Sequence, residues 1–392
     1  MIYLDNAAST PPMNYLHKFI NDDLNLYGNP SSIHKAGVES KRKLEAYRRS
    51  ILNFLFNTNE GNVIFTSGGT ESNNLALFGL SEYLQSINKT TIITSKIEHS
   101  SIFNACKALE KRGFKVIYMP VCYDGRVDIE ELDKTMQENK DTLGLVSIQM
   151  VNSEIGTIQA FNDIGDLCEE YGVLFHTDAV QAVGHIDIDV NKSKISLMSI
   201  SGHKFHAIKG IGALYVRDTK MLKSILYGGE QEFGIRPGTE NVLGAGTMCH
   251  VLADVCNWLQ ICKHNEYCKT LQQKFLNVLN ETMNIPYQIN SDGGIPNIIN
   301  ISIPKVEGTA LAMLLNEKGI CVSTGSACNS NTLEPSRVLT AIGLPDELAL
   351  CSIRVSFSFL NTVDELANAA IAIATESQKL YEVSNVQKNK KK

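Results

Sequence analysis

The stretch Ile195-Ser196-Leu197-Met198-Ser199-Ile200-Ser201-Gly202-His203-Lys204 is an apolar run that turns abruptly polar and ends on a histidine and a lysine. Val173-Leu174-Phe175-His176-Thr177-Asp178 has the same design, stopping at a carboxylate. Working outward, residues 62–66, 91–94, 115–118 and 143–148 are further short apolar runs rich in β-branched residues, and helical patterns separate them. Strands that are apolar on both faces and alternate with helices belong to a parallel sheet covered on either side. The expected fold is therefore α/β. Open sheets of this kind bind ligands beyond the carboxyl ends of their strands, where Asp178 and Lys204 fall.

Past Arg236-Pro237-Gly238-Thr239 the pattern becomes one long helix, with Val255, Trp258, Leu259, Cys262, Leu271, Phe275, Val278 and Leu279 near helical spacing. Residues 297–303 then read as a strand, 309–317 as a helix and 352–357 as a strand. A chain of 392 residues exceeds what one core usually organises, so a second, smaller α+β domain is expected in the C-terminal third.

Composition narrows the function. With 43% hydrophobic and 20% charged residues the chain is ordinary for a soluble enzyme, and no apolar run approaches the ~18 residues that span a bilayer. Met1 to Asn6 show neither the basic patch nor the apolar core of a secretory signal, which points to the cytoplasm. None of the ten cysteines makes the spacing of a zinc knuckle or redox pair, and most are expected to be reduced thiols packed as small apolar groups. A formal charge of −6 argues against binding nucleic acid as the main task. Lys41, Arg42, Lys43, Arg48 and Arg49 read as a solvated helix face, and residues 381–392 as a disordered basic tail.

Several residue groups carry chemistry. Gly68-Gly69-Thr70-Glu71 follows a strand and opens a helix, offering backbone amides and a hydroxyl to a phosphate, although a Gly-Gly pair there equally makes a tight turn. Asp178 at a strand end either caps the next helix or keeps a pyridine nitrogen protonated. His99, also after a strand, can stack on a flat cofactor and shuttle protons near neutral pH. Lys204, desolvated at a strand end, can form an imine with an aldehyde. Phosphate, pyridine and aldehyde together describe pyridoxal 5'-phosphate. Downstream, Ser323-Thr324-Gly325-Ser326-Ala327-Cys328-Asn329-Ser330 places one thiol in a loop of small polar residues, which leaves it free to travel.

With these motifs the chain resembles the cysteine desulfurases of the class V aminotransferase superfamily, in the group with the longer cysteine loop. The resemblance runs from Tyr3-Leu4-Asp5-Asn6-Ala7-Ala8 to Ser352-Ile353-Arg354-Val355-Ser356. It implies the type I fold of pyridoxal-phosphate enzymes. Residues 14–256 would form a large cofactor-binding domain with a mixed, mostly parallel seven-stranded sheet, and residues 1–13 and 257–380 a small domain carrying the cysteine loop. It implies Lys204 as the Schiff-base lysine, Asp178 at the pyridine nitrogen, Gln181 at the ring hydroxyl and His99 as the stacking base. Gly69, Thr70, Ser201 and His203 would cradle the phosphate, joined by Thr239 from a neighbouring subunit, which makes the protein a homodimer. Arg354 would grip the substrate carboxylate, helped by Asn152 and Ser153, and Cys328 would be the nucleophile. The implied reaction turns L-cysteine into L-alanine, leaves a persulfide on Cys328 and hands the sulfur to an acceptor protein.

The chain departs from the family at Asn152-Ser153-Glu154-Ile155-Gly156, where a second asparagine is usual before the glutamate. Ala207-Ile208, Glu230, Phe233 and Ser358 are further departures near the expected pocket or subunit contact. Two other readings stand beside the first: a selenocysteine lyase or another small-substrate member of the superfamily, and a non-catalytic partner protein that keeps the fold. A mobile thiol argues against an aminotransferase, and the joint presence of Lys204, Asp178, His99, Arg354 and Cys328 against a scaffold.

Overall fold

The structure is a computed structural model and describes residues 1–56, 58, 60–291, 293–324 and 334–389. After a short β1 (Ile2–Tyr3) come the strands of the larger sheet: β2 (Asn62–Thr66), β3 (Thr91–Ser95), β4 (Lys115–Met119), β5 (Leu143–Ser147), β6 (Leu174–Asp178), β7 (Leu197–Ser201) and β8 (Gly212–Val216). Their spatial order is β2-β8-β7-β6-β5-β3-β4. Strands β3 to β7 pair in parallel, and β8 runs antiparallel to both β7 and β2.

Alternation along each strand decides which cluster a residue joins. Ile92, Leu145, Leu197 and Leu214 pack with α3 (Gly69–Ser86) and α4 (Ser100–Glu110) on one face. Their neighbours Ile93, Val146, Met198 and Ala213 pack on the other face. There the cover comes from α1 (Leu16–Asp23), α2 (Lys35–Phe56), α5 (Ile129–Asn139), α6 (Phe161–Glu170) and α7 (Val242–Val255). This is why these strands read as continuous apolar runs.

A second, antiparallel sheet has the order β12-β13-β10-β9, with β9 at Gln288–Ile289, β10 at Ile298–Ser302, β12 at Ser323–Thr324 and β13 at Ser352–Ser356. Helices α8 (Trp258–Thr282), α9 (Gly308–Glu317) and α12 (Val363–Asn389) bury Phe275, Leu315 and Leu366 with it. Short helices α10 (Arg337–Ala341) and α11 (Asp346–Leu350) lie between β12 and β13. The N-terminus joins this part: β1 pairs with β11 (Ile320–Cys321), and Ala7 N–H donates to Ser356 Oγ at 2.9 Å. Among the described residues no single helix is long and apolar enough to cross a membrane.

Three expectations are corrected. Arg48, read as part of a solvated helix face, is buried, and its guanidinium pairs with Glu232 at 2.7 Å. The long helix after residue 239 is two helices, because the chain leaves the helical conformation at Asn257, whose side chain caps α8 through Leu259 N–H at 3.0 Å. The break lets Val251 and Val255 stay in the core of the larger sheet while Leu271 and Phe275 enter that of the smaller one. The tail expected to be disordered from residue 381 is helical to Asn389. Lys305 Nζ lies 4.9 Å from the Tyr381 ring centroid and donates to Asn385 Oδ1 at 3.0 Å, which gives the added turns a tertiary contact. Residues 390–392 and Cys328 lie outside the described residues.

Candidate active site

The carboxyl ends of β6 and β7, the start of α3, the segment before α4, and Arg354 from β13 meet around a cleft of about 340 Å³. Gly69, Thr70, Ser201 and His203 line one set of its walls, and His99, Asp178, Gln181 and Lys204 another. Ser153 and Arg354 complete the sequence-expected residues found there.

The start of α3 is built to receive an anion. Its first residue, Gly69, has no room for a side chain: a Cβ there would lie 2.7 Å from Val180 Cγ2 and 3.5 Å from Ser201 Cβ. No side chain caps the helix at Gly68, so its first amides keep their hydrogen-bonding capacity. Ser201 Oγ is buried and has no hydrogen-bond partner among the described residues. An orphaned hydroxyl facing a helix N-terminus whose entry is kept clear by glycine fits a phosphate group. His203, whose Nδ1 lies 3.2 Å from Ser9 Oγ, is pushed down to about 4 by burial and by Lys204 and Lys209, and so stands neutral beside that site.

Asp178 accepts from Asn73 Nδ2 at 2.7 Å and from Val180 N–H at 3.0 Å, so it braces the following turn and also presents its carboxylate to the cleft. Lys204 follows β7 on a single 3-10 turn, Gly202–Lys204, and its Nζ donates to Ala7 O at 2.6 Å. Gln181 Nε2 donates to the same carbonyl at 2.7 Å. The turn that follows β1 thus fixes the direction of both side chains. His99 caps α4, accepting from Ser101 N–H at 3.2 Å, and its ring is open to the cleft. The protein packed around it lowers its pKa, Asp178 opposes that, and Lys204 and Arg337 add to the lowering.

Arg354 Nη1 donates to Ser153 O at 2.9 Å and Nη2 to Asp5 Oδ1 at 2.8 Å, while its buried Nε has no partner among the described residues. The fork is held from two sides with donor capacity left for a carboxylate. Ser153 serves Arg354 through its backbone oxygen, a contact that any residue at this position supplies.

Asn152 does not line the cleft. Its amide holds the surrounding turn, donating to Ile97 O at 3.2 Å and accepting from Glu154 and Ile155 N–H at 2.8 and 3.0 Å. Thr239 is exposed and outside this cleft.

Sequence reasoning passed over Asn73, Ser101, Gln149 and Glu98. Asn73 follows Gly69 by four residues on α3 and so shares its face, a spacing that was available as a signal. Glu98 is fully buried, accepts from Ser95 Oγ at 2.6 Å and from Gln149 N–H at 3.0 and 3.1 Å, and is pushed up to about 8 by its burial. The roles of Ala7 O and Ser153 O are backbone contacts and leave no mark in the sequence.

Residues 2–368 match the family model for class-V aminotransferases. The cysteine desulfurase IscS of Dictyoglomus turgidum is 40% identical over 386 residues, covering 98% of this chain and 96% of that protein. The mitosomal cysteine desulfurase of Encephalitozoon cuniculi is 41% identical over 394 residues, covering 98% and 88%. The solved NifS-like protein from Rickettsia africae ESF-5 superposes with a TM-score of 0.85 at 31% identity, covering 97% of this chain and 99% of that one. The mixed seven-stranded sheet, with a lysine and an aspartate at its strand ends and an anion cradle between them, is thus the type I architecture of pyridoxal-phosphate enzymes. By full-length likeness and by the cleft it builds, this chain belongs to the class-V aminotransferase family and, within it, to the pyridoxal-phosphate-dependent cysteine desulfurases.

Proposed function

We propose that Lys204, His99 and Arg354 act on L-cysteine in this cleft, and that Cys328 takes up the sulfur and passes it to an acceptor protein. The observation that carries this assignment is the gathering of Lys204, Asp178, the unpartnered Ser201 hydroxyl and the Arg354 fork around one cleft. Gly69, Thr70, Ser201 and His203 would hold the phosphate of pyridoxal phosphate, Asp178 its ring nitrogen and Gln181 its ring oxygen. When bound, the cofactor supplies an aldehyde carbon that condenses with amines and a ring that takes up electrons released at the substrate Cα. Arg354 would orient the substrate carboxylate, and Lys204 Nζ would move the α-proton. The Cys328 thiolate then bonds to the substrate sulfur as the carbon–sulfur bond breaks with its electron pair going to carbon. Protonation of that carbon and return of a proton to Cα give alanine and leave the persulfide.

Thr239, we further propose, reaches the phosphate of a second copy, making the protein a homodimer. Support comes from its exposure in this protomer and from the neighbouring Tyr227 and Phe233, both large, apolar and exposed. Arg236 ties this segment to the start of α3 through Glu71, at 2.8 Å. We place the protein in the cytoplasm, where its thiols stay reduced, with an acceptor protein of iron–sulfur cluster assembly or of thiolation receiving its sulfur.

The test is alanine formation from L-cysteine under reducing, anaerobic conditions. The native protein should form alanine and Cys328→Ala none. Alanine from the variant would place the nucleophile elsewhere, and none from the cofactor-loaded native protein, with turnover of L-selenocysteine instead, would replace the substrate.

A further inference from the structure

The groups behind His99 determine which of its nitrogens carries the proton. A carboxylate only accepts, so the Asn73 amide must turn its Nδ2 toward Asp178 Oδ2, at 2.7 Å. The opposite orientation would set oxygen against oxygen. The second hydrogen of Asn73 Nδ2 points to Ser101 Oγ at 2.9 Å. The Ser101 oxygen, which accepts there, lies 2.7 Å from His99 Nδ1 and has its own hydrogen to give to that nitrogen. The same Nδ1 faces the backbone N–H of Ser101 at 3.2 Å, a donor that no rotation can reverse. Asn73 and Ser101 are 1% and 8% exposed, so the chain of bonds is enclosed by protein.

We propose that Asn73 and Ser101 are positioning residues that hold His99 as the neutral tautomer protonated on Nε2, so that it serves the cleft as a hydrogen-bond donor and not as a proton acceptor. The proposal rests on the placing of His99 and Asp178 against the cofactor. An imidazolium would need a hydrogen on Nδ1, where two donors already point. The surrounding protein also disfavours the cation. Of the charged groups facing the ring, Asp178 at the end of β6 favours it, while Lys204 after β7 and Arg337 at the start of α10 oppose it. Proton movement at the substrate then falls to Lys204, and the Nε2–H of His99 is left to steer a partly negative atom, such as the departing substrate sulfur or a cofactor oxygen. The sequence reading of His99 as a base near neutral pH is revised accordingly.

The experiment uses cofactor-loaded protein labelled with ¹⁵N-histidine, followed by two-bond ¹H–¹⁵N correlation spectra from about pH 5.5 to 8.5, the span over which a free histidine titrates. The chain has nine histidines, and the signals missing from His99→Gln identify the one in question. The native spectrum should show the Nε2–H pattern for His99 with no change across the range. Ser101→Ala removes one of the two donors at Nδ1 and should move the onset of protonation to higher pH, while Ser101→Thr, which keeps the hydroxyl, should restore the native pattern. A native His99 that carries its proton on Nδ1, or is an imidazolium near pH 7, overturns the proposal without recourse to any variant. So does a Ser101→Ala spectrum indistinguishable from native. Alanine formation is measured on the same samples. Native protein with the expected tautomer but no alanine from L-cysteine would remove the assigned reaction and leave the role of Asn73 and Ser101 standing.

Discussion

Replacing Gly69 by alanine adds one methyl group at the point where α3 meets the strand ends. That carbon would sit 2.7 Å from Val180 Cγ2, against a comfortable carbon–carbon separation of roughly 3.5–4.0 Å, so one side must give by about 1 Å. Val180 is poorly placed to yield, since it is β-branched and its N–H is tied to Asp178 Oδ1 at 3.0 Å. Any yielding by the first turn of α3 shifts the amides expected to hold the phosphate. Overpacking of this kind costs about 1–3 kcal/mol. If the displacement falls on the loaded site, affinity for pyridoxal phosphate drops roughly 5- to 150-fold. Apart from that contact, alanine suits a helix better than glycine by about 1 kcal/mol, so the unloaded protein should not be destabilised in proportion. Equilibrium titration of the stripped protein with pyridoxal phosphate, read by absorbance, measures the effect directly. Gly69→Ala/Val180→Ala, which removes the opposing methyl groups, should recover most of the loss. Affinity of Gly69→Ala within twofold of native, or a double variant no better than the single one, would refute the placing of the phosphate at this helix start.

Two further expectations concern buried charge. Arg48 and Glu232 form an ion pair with side chains 6% and 2% exposed, and the same carboxylate accepts from Phe65 N–H at 2.8 Å in β2. Glu232→Leu should cost about 3–5 kcal/mol in denaturant unfolding, because Arg48 is left charged in the interior, and Arg48→Met/Glu232→Leu should regain most of it; equal losses in the two variants would contradict this. Glu98, pushed up to about 8 by burial, holds its proton far more tightly folded than unfolded. Its contribution to stability is therefore complete below the unfolded carboxyl value and lost as pH rises through about 8. Between about pH 5 and 8 the stability of Glu98→Gln should fall less steeply than that of native protein, and parallel slopes would show that Glu98 ionises normally.

The larger sheet was legible because both of its faces are covered. Ile92 and Ile93 point to opposite clusters, as do Leu145 and Val146, so each strand is apolar at successive positions and its polar terminus stands out. Asp178 and Lys204 were visible for this reason. The direction of β8 was not legible, since a strand buried on both sides reads alike whether its neighbour runs parallel or antiparallel. The break before α8 escaped notice because helical spacing persists on either side of Asn257 while the buried face passes from one core to the other. The last turns of α12 were hidden by their lysines, whose charge suggested solvent; the contacts that hold the helix there come from Lys305, distant in the chain.

In the cleft the sequence revealed which residue types are present and concealed what each is able to do. Lys204 could be singled out as an amine at a strand end, but its direction is set by a carbonyl of Ala7, which has no side-chain signature. Arg354 could be recognised as a fork for a carboxylate, yet its aim depends on Asp5 and on the backbone of Ser153, brought together only when the segment after β1 lies along β13, where Asp5 pairs with Ser356. His99 is the sharpest case. A histidine after a strand is equally a base, an acid or a donor until the neighbours of its ring nitrogens are known. Those neighbours are Ser101, two residues on, and Asn73, 28 residues from Ser101 on another helix. Asp178 can only accept, so it orients the Asn73 amide, which donates to Ser101, and the Ser101 N–H donates to His99 Nδ1; the carboxylate expected to hold the cofactor ring and the tautomer we propose for the residue that stacks on it thus belong to one path of hydrogen bonds.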